Sequence, residues 1–237
     1  MTASRAGAVD GARPRPVLRV ASYNLRDLLG DRAAAVRVVR AIAPDVLCLQ
    51  EVPRRLTTEL RLPGFAHECG LWWAGGRRGS GGTAVLTALR VRVRATSSRR
   101  LGVRFPDRTR GYAVLDVELP GAAPVTVHSV HLGLRGPERE RHAAQIAQGL
   151  GPRSVVAGDL NEEPGGPAWR VLESSCRPVS DDWPTFPSDR PTRALDVILA
   201  GVGLREASGR PVRLSAADLA AGSDHRPVWA DLRLSEA

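Results

Sequence analysis

The 237-residue chain contains no lysine, one methionine and three cysteines, and aromatic residues make up only 4% of it. Cys48, Cys69 and Cys176 stand far apart and form no CxxC pair. That excludes a disulfide framework and a zinc ribbon, and it suits a reducing compartment. No stretch approaches the ~18 consecutive apolar residues of a membrane-spanning helix. Residues 1–16, MTASRAGAVDGARPRP, hold no apolar segment of the kind a secretory leader carries. From these two absences we expect a cytoplasmic protein with no transmembrane segment. Internal repeats are absent too, as is any linker-like composition after residue 16.

What remains is rich in aliphatic residues. A hydrophobic content of 43% excludes a disordered chain, and 24 glycines without a period exclude a collagen-like one. We expect a flexible Ala/Gly/Arg/Pro tail at 1–16 and one domain over 17–237, acting as a monomer. All 34 basic residues are arginine and the formal net charge is +9. Of these arginines 21 fall in residues 1–110, against 8 of the 25 acidic residues. The basic first half fits a polyanionic partner such as nucleic acid, or simply a solvated arginine-rich surface. The second half holds most of the carboxylates that matter below.

Short β-branched runs predict strands at 17–24, 45–50, 83–87, 90–95, 112–119, 124–131, 153–158, 194–200 and 227–234. A helix is expected after Asp31, a good N-cap, with Val36, Val39 and Ala43 on one face and a stop before Pro44. A second follows Gly136, with Pro137 in its first turn and Ala143, Ile146, Ala147 and Leu150 as its apolar face. A third spans 166–174. Strands outnumber helices, and hairpin-like links mix with helical crossovers. The pattern suits an α/β fold in which two mixed β-sheets pack face to face with helices on the outside.

Several apolar runs end in polar groups, which is how α/β folds present chemistry at a sheet edge. Asp45-Val46-Leu47-Cys48-Leu49 ends in Gln50-Glu51; Glu51 is either a solvated carboxylate or a hard ligand for Mg²⁺. Ser154-Val155-Val156-Ala157 ends in Gly158-Asp159-Leu160-Asn161, which reads as ordinary turn chemistry or as a water-orienting carboxylate beside an amide donor. His128 and His131 lie three apart on one strand and so face opposite sides. His128 and His142 read as packed rings. Asp196 lies inside the apolar run Ala194–Leu199, where a charge is costly unless paired. The imidazole of Ser223-Asp224-His225-Arg226-Pro227 is a suitable partner, which would fix its tautomer and strengthen it as a base.

Taken in order, Asn24 in ASYNLR, Glu51 in PDVLCLQEV, His131 in VHSVHLG, Asp159 and Asn161 in VVAGDLNEEP, Asp196 in RALDVIL and Asp224-His225 in GSDHRPV resemble the endonuclease/exonuclease/phosphatase superfamily. The resemblance runs from about Val17 to Leu234. It implies a four-layer α/β sandwich and metal-dependent phosphoester hydrolysis. It implies that Glu51 binds Mg²⁺ or Mn²⁺ with Asn24 and Asp224, and that His225 is the general base oriented by Asp196. Asp159 would position the attacking water, with Asn161 and His131 donating to the phosphoryl oxygens. Asp27, just past the first motif, would be an additional metal-side carboxylate, and Arg110 resembles an arginine that precedes the strand leading to the His motif, reading either as a phosphate contact or as a surface arginine.

One motif departs from the family: Thr83 stands in Ser80-Gly81-Gly82-Thr83 where relatives carry Asn. No long DNA-grasping insertion is present. The expected activity is a phosphodiesterase or nuclease, endo or exo. The alternatives are a phosphatase or phosphodiesterase on a small-molecule or lipid-headgroup phosphoester, and a non-catalytic nucleic-acid-binding module on the same fold. Arg90-Val91-Arg92-Val93-Arg94 and Arg99-Arg100 read either as a phosphate track or as a solvated strand face. Trp72-Trp73 and Trp183-Pro184-Thr185-Phe186 read as base-stacking groups or as core anchors.

Overall fold

Along β1 (Val17–Asn24) alternate side chains enter different cores. Leu18 and Val20 join one apolar cluster, Ala21 and Tyr23 another. A strand buried on both faces belongs to the middle of a layered molecule. The computed structural model, which describes residues 16–53, 56–76 and 79–236, shows that arrangement. Apart from Pro16, the expected tail at 1–16 lies outside the described residues.

The remaining strands are β2 (Val46–Gln50), β3 (Trp72–Gly75), β4 (Ala84–Thr87), β5 (Arg92–Leu101), β6 (Arg110–Glu118), β7 (Val125–His131), β8 (Ser154–Asp159), β9 (Cys176–Pro178), β10 (Asp196–Gly201), β11 (Arg205–Glu206) and β12 (Val228–Arg233). They form two six-stranded sheets, in the orders β11-β12-β1-β2-β4-β3 and β5-β6-β7-β8-β10-β9. Each sheet contains one parallel pair, β1 with β2 and β7 with β8, and is otherwise antiparallel. Both sheets are therefore mixed, as expected.

The parallel pairs need crossovers, because a hairpin cannot join strands that run the same way. α1 (Arg32–Ile42) supplies the first and α3 (Gly136–Ala147) the second. Asp31 caps α1 as expected, its Oδ1 accepting from the Ala33 and Ala34 N–H groups at 2.8 and 3.2 Å. α4 (Pro167–Glu173) is the expected third helix. Two further helices, α2 (Leu56–Glu68) and α5 (Ala216–Gly222), were not expected.

Three apolar clusters hold the layers together. One lies between the sheets, with Val46, Cys48, Leu115, Val127, Val155, Ile198 and Val228 among its members. A second packs the first sheet against α1 and α2, through Val39, Ile42, Leu62 and Phe65. The third packs the other sheet against α3 and α4, through Ile146, Trp169 and Leu172. Each buried leucine or isoleucine contributes about 1.5–3 kcal/mol by leaving water. All three cysteines are free and buried. Among the described residues no helix is long and apolar enough to cross a membrane.

The strand predicted at 90–95 differs in extent. β5 begins at Arg92 and continues through Thr96-Ser97-Ser98 to Leu101, because backbone pairing with β6 holds it despite its polar side chains. Arg90 lies outside the strand and clasps Asp45 at 2.6 Å through both Nε and a terminal nitrogen.

Candidate active site

At one end of the inter-sheet core the apolar layer gives way to polar residues. Period-two alternation puts Val20, Ser22 and Asn24 of β1 on the face that looks toward the other sheet. By the same rule Val127, Ser129 and His131 of β7, Val155, Ala157 and Asp159 of β8, and Asp196 and Ile198 of β10 look back at them. His128 points the other way, as expected. Register aligns the group: His131 pairs with Asp159 and Asp159 with Asp196, so all three lie in one lateral row.

The two sheets meet through side chains at this level. Asn24 Nδ2 donates to Asp159 Oδ2 at 3.1 Å, bridging the sheets. The other Asp159 oxygen accepts from the Asn161 N–H at 2.8 Å. His131 Nε2 lies 3.5 Å from Asp159 Oδ2 and 3.9 Å from Glu51 Oε1. His225, just before β12, sets Nδ1 2.8 Å from Asp196 Oδ2 and Nε2 3.9 Å from Asp159 Oδ2. The imidazole partner expected for Asp196 is therefore His225.

Two of these positions depend on left-handed backbone. Glu51 has φ 47° and Asn161 φ 52°. Straight continuation of β2 would put Glu51 on the side of Leu47 and Leu49, toward the outer helices. The left-handed turn instead brings its carboxylate to His131. Such a conformation costs a non-glycine residue about 1–2 kcal/mol, which the surrounding fold must offset. Arg26, Asp27 and Leu28 add three consecutive positive-φ residues beside it, pinned by the Asp27 N–H to the Glu51 carbonyl at 2.6 Å.

A model of the Endonuclease/Exonuclease/phosphatase family matches residues 21–225, a span that takes in all of these groups. The chain belongs to that family. Its fold is shared by an endonuclease/exonuclease/phosphatase from Beutenbergia cavernae DSM 12333, with 23% identity, 93% of this chain and 72% of that one covered, and a TM-score of 0.71. The Bacteroides thetaiotaomicron mannosyl-6-phosphatase Bt3783 covers 91% of this chain and 99% of its own at 17% identity and TM-score 0.69. ANGEL2, a 2',3'-cyclic phosphatase solved with adenosine-2',3'-vanadate, covers 93% and 96% at 17% identity and TM-score 0.68. No curated protein matches the chain in sequence. Members of the endonuclease/exonuclease/phosphatase family are phosphoester hydrolases.

Electrostatics in this family member follow from burial. Burial pushes the Asp159 carboxyl up to about 6, the Asp196 charge adds to the rise, and His225, Asn161 and Asn24 oppose it. For His225 burial acts downward. The Asp196 carboxylate overcomes it by charge and by hydrogen bond, and with Asp159 and Asp224 raises the imidazole to about 10. Asp159, Asp196 and His225 are also the one group of three buried donors close enough to hold an ion among the described residues. Nδ1 of His225 is committed to Asp196, which leaves Nε2 as the nitrogen that faces Asp159.

The remaining expected residues are placed unevenly. Asp224 adjoins His225, but its carboxylate pairs with Arg26 at 3.4 Å. Asp27 Oδ2 takes Arg108 at 2.6 Å, while its Oδ1 is buried without a hydrogen-bond partner. Asn161 spends one N–H on the Leu132 carbonyl at 3.0 Å. Arg110 is buried, with Nε on the Leu132 carbonyl at 3.0 Å and one terminal nitrogen unpartnered. Burial lowers its pKa, against the pull of Glu51 and Asp159. Thr83 turns into its own loop and donates to the Ser80 carbonyl at 3.0 Å, so the departure from Asn leaves a structural residue.

Thr185 was not foreseen. Its buried hydroxyl donates to Asp196 Oδ2 at 2.6 Å, the oxygen that also meets His225. The Leu195 and Asp196 N–H groups return bonds to the same hydroxyl at 3.2 and 3.3 Å. Phe186, next in the chain, packs against His225 with the rings tilted at 47° and their centroids 4.9 Å apart. The sequence offered one signal, a Thr-Phe pair after Trp183-Pro184, whose aromatic was read only as a base-stacking group or an anchor.

Proposed function

We propose that this protein is a divalent-metal-dependent phosphoester hydrolase acting by in-line attack of water activated by His225, with a phosphodiester of nucleic acid as its substrate. The observation that carries this reading is the His225 imidazole, fixed on Asp196 at 2.8 Å with its free nitrogen turned toward Asp159 at 3.9 Å. An imidazole held in this way is a preset tautomer whose Nε2 takes a proton. Asp159 would orient the water, and Thr185 holds the Asp196 oxygen that His225 shares.

Glu51, with the side-chain oxygen of Asn24 and Asp224, would hold the metal, and the donors fit: they are hard oxygen groups, and Asp27 adds a buried carboxylate oxygen without a partner. A divalent cation held there would supply positive charge to the phosphoryl oxygens and would oppose the proton on His225, favouring its neutral form. His131, Asn161 and the unpartnered nitrogen of Arg110 donate to the phosphoryl oxygens as charge builds there. Mg²⁺ and Mn²⁺ both suit this donor set.

The fold likeness to the Bacteroides sugar phosphatase favours a second reading, hydrolysis of a small phosphomonoester. A panel of single-stranded DNA, RNA, dinucleotide, plasmid and phosphomonoester substrates, each with Mg²⁺ and with EDTA, separates the two. The expected result is diester cleavage with Mg²⁺ and none with EDTA. Turnover of phosphomonoesters alone would overturn the nucleic-acid assignment. His225→Ala should lose about 10²–10⁴ in kcat. Parent-like turnover by that variant would remove the base assignment.

A further inference from the structure

The lateral row of site residues extends past the site. Asp159 on β8 pairs with His131 on β7, His131 with Gly111 on β6, and Gly111 with Arg100 on β5. Paired residues share a face, so Arg100 lies on the same side of the sheet as the two site residues. Neighbouring strands are ~4.8 Å apart, which puts the Arg100 backbone about 14 Å from that of Asp159. Between them the Ser80–Gly82 turn covers Gly111, where a Cβ would meet the Ser80 carbonyl at 2.6 Å. Beyond that turn the row is open again, and Arg100 is exposed.

From Leu101 the chain turns back toward Arg110 through a hairpin loop at the same end of the sheet. Arg104 and Arg108 are exposed on it, and Phe105 is 97% exposed. The loop is anchored at its base: His142 Nε2 meets the Gly102 carbonyl at 2.8 Å, and the Arg104 N–H donates to Glu138 at 3.0 Å. Arg108 reaches Asp27 at 2.6 Å and comes within 3.9 Å of Glu51, so the loop touches the site itself. Residues 99–110 contain five arginines and one acidic residue, Asp107. A fixed cationic ledge with a bare aromatic ring suits a polyanion that carries stackable bases.

We propose that the end of β5 and the 102–109 loop bind the single-stranded flank of a nucleic-acid substrate, with Arg100 and Arg104 on backbone phosphates and Phe105 beneath a base. This rests on the nucleic-acid reading of the site and adds where the strand lies, a few nucleotides from the hydrolysed bond.

The test compares the parent with R100S/R104S and with Phe105→Ala on oligonucleotides from two to twelve residues, across a salt series. For the parent, kcat/KM should climb with length. The double variant should lose about tenfold or more on the longest substrate, through KM, with a salt slope shallower by about 1.4. Its deficit should shrink as the substrate is shortened and vanish at the dinucleotide, which is too short to reach the ledge. Phe105→Ala should lose on the order of tenfold on the longest substrate and recover with Phe105→Trp. R205S/R233S, the same loss of charge on exposed residues at the far end of the first sheet, is the control. Length-independent turnover, or equal losses in the control, would overturn the proposal. Anisotropy of a labelled oligonucleotide in EDTA reads the surface without cleavage. Tight binding by the parent and weak binding by R100S/R104S would support the ledge even if the hydrolase reading failed. Equal binding by the two proteins would sink it.

Discussion

Replacing His128 with leucine should make the protein markedly more resistant to acid. The ring is 3% exposed, both its nitrogens lack hydrogen-bond partners, and it stacks on Tyr112 with ring centroids 6.3 Å apart. Burial lowers its pKa to about 4, with Asp116 pulling weakly the other way. In the unfolded chain the same imidazole titrates near 6.5. Between those values the unfolded state binds a proton that the folded state refuses, so stability falls as pH drops. The stability is fully present above pH 6.5, is reduced by about 2 kcal/mol at pH 5, and is lost by about 3 kcal/mol below pH 4, at 1.36 kcal/mol per pH unit. Leucine does not titrate and leaves no orphaned nitrogen, so the variant should equal or exceed the parent at pH 7.5. Urea unfolding of both proteins from pH 7.5 to pH 4.5 measures the difference, and contributions from the other titrating groups cancel between them. A gap that stays constant over that range would refute the reasoning.

Thr185→Val should lower kcat about tenfold or more with little change in KM, since the hydroxyl bonds a charged carboxylate, and Thr185→Ser should recover it. A parent-like kcat and pH profile for Thr185→Val would show that Asp196 needs no such support. Glu162→Ala should cost ~2–4 kcal/mol in urea unfolding, because this buried carboxylate accepts from the Ala168 and Trp169 N–H groups at the start of α4 and pairs with Arg139 at 3.1 Å. An unshifted midpoint would contradict that. Gly81→Ala should destabilise by about 2 kcal/mol or more, since its φ is +66° and a Cβ would stand 2.1 Å from the Arg110 carbonyl carbon. Thermal unfolding checks it, and an unchanged midpoint would count against the packing described.

The elements that were legible in the sequence are those whose pattern is set by burial. β1, β2, β7, β8 and β10 are apolar runs because both faces are covered, and Asp31 announced α1 because an N-cap is a local interaction. Edge elements carry no such imprint. β3, β9 and β11 are two to four residues long, too short to show alternation. α2 contains Pro63 and Gly64, residues that ordinarily interrupt a helix, yet it continues through them with Leu62 and Phe65 buried against the first sheet. α5 had a readable start in Ser215, which caps it, but its Ala-rich body offered no apolar face to follow.

The site was legible for a different reason. In each sheet a strand-helix-strand crossover creates two parallel strands, and their carboxyl ends fall at the same edge: Asn24 and Glu51 from one sheet, His131 and Asp159 from the other. Asp196 and His225 reach that edge from the opposite direction, because β10 and β12 run antiparallel and present their starting residues. An apolar run ending, or beginning, in a polar group therefore marks one end of one core, although the residues are up to 201 positions apart. What the runs do not encode is direction within that edge. Glu51 and Asn161 adopt left-handed backbone, which overrides the alternation that places their neighbours. Thr185 belongs to a loop, where no periodicity exists. Its role follows only from the oxygen it shares with His225, so identifying a residue of this kind requires coordinates.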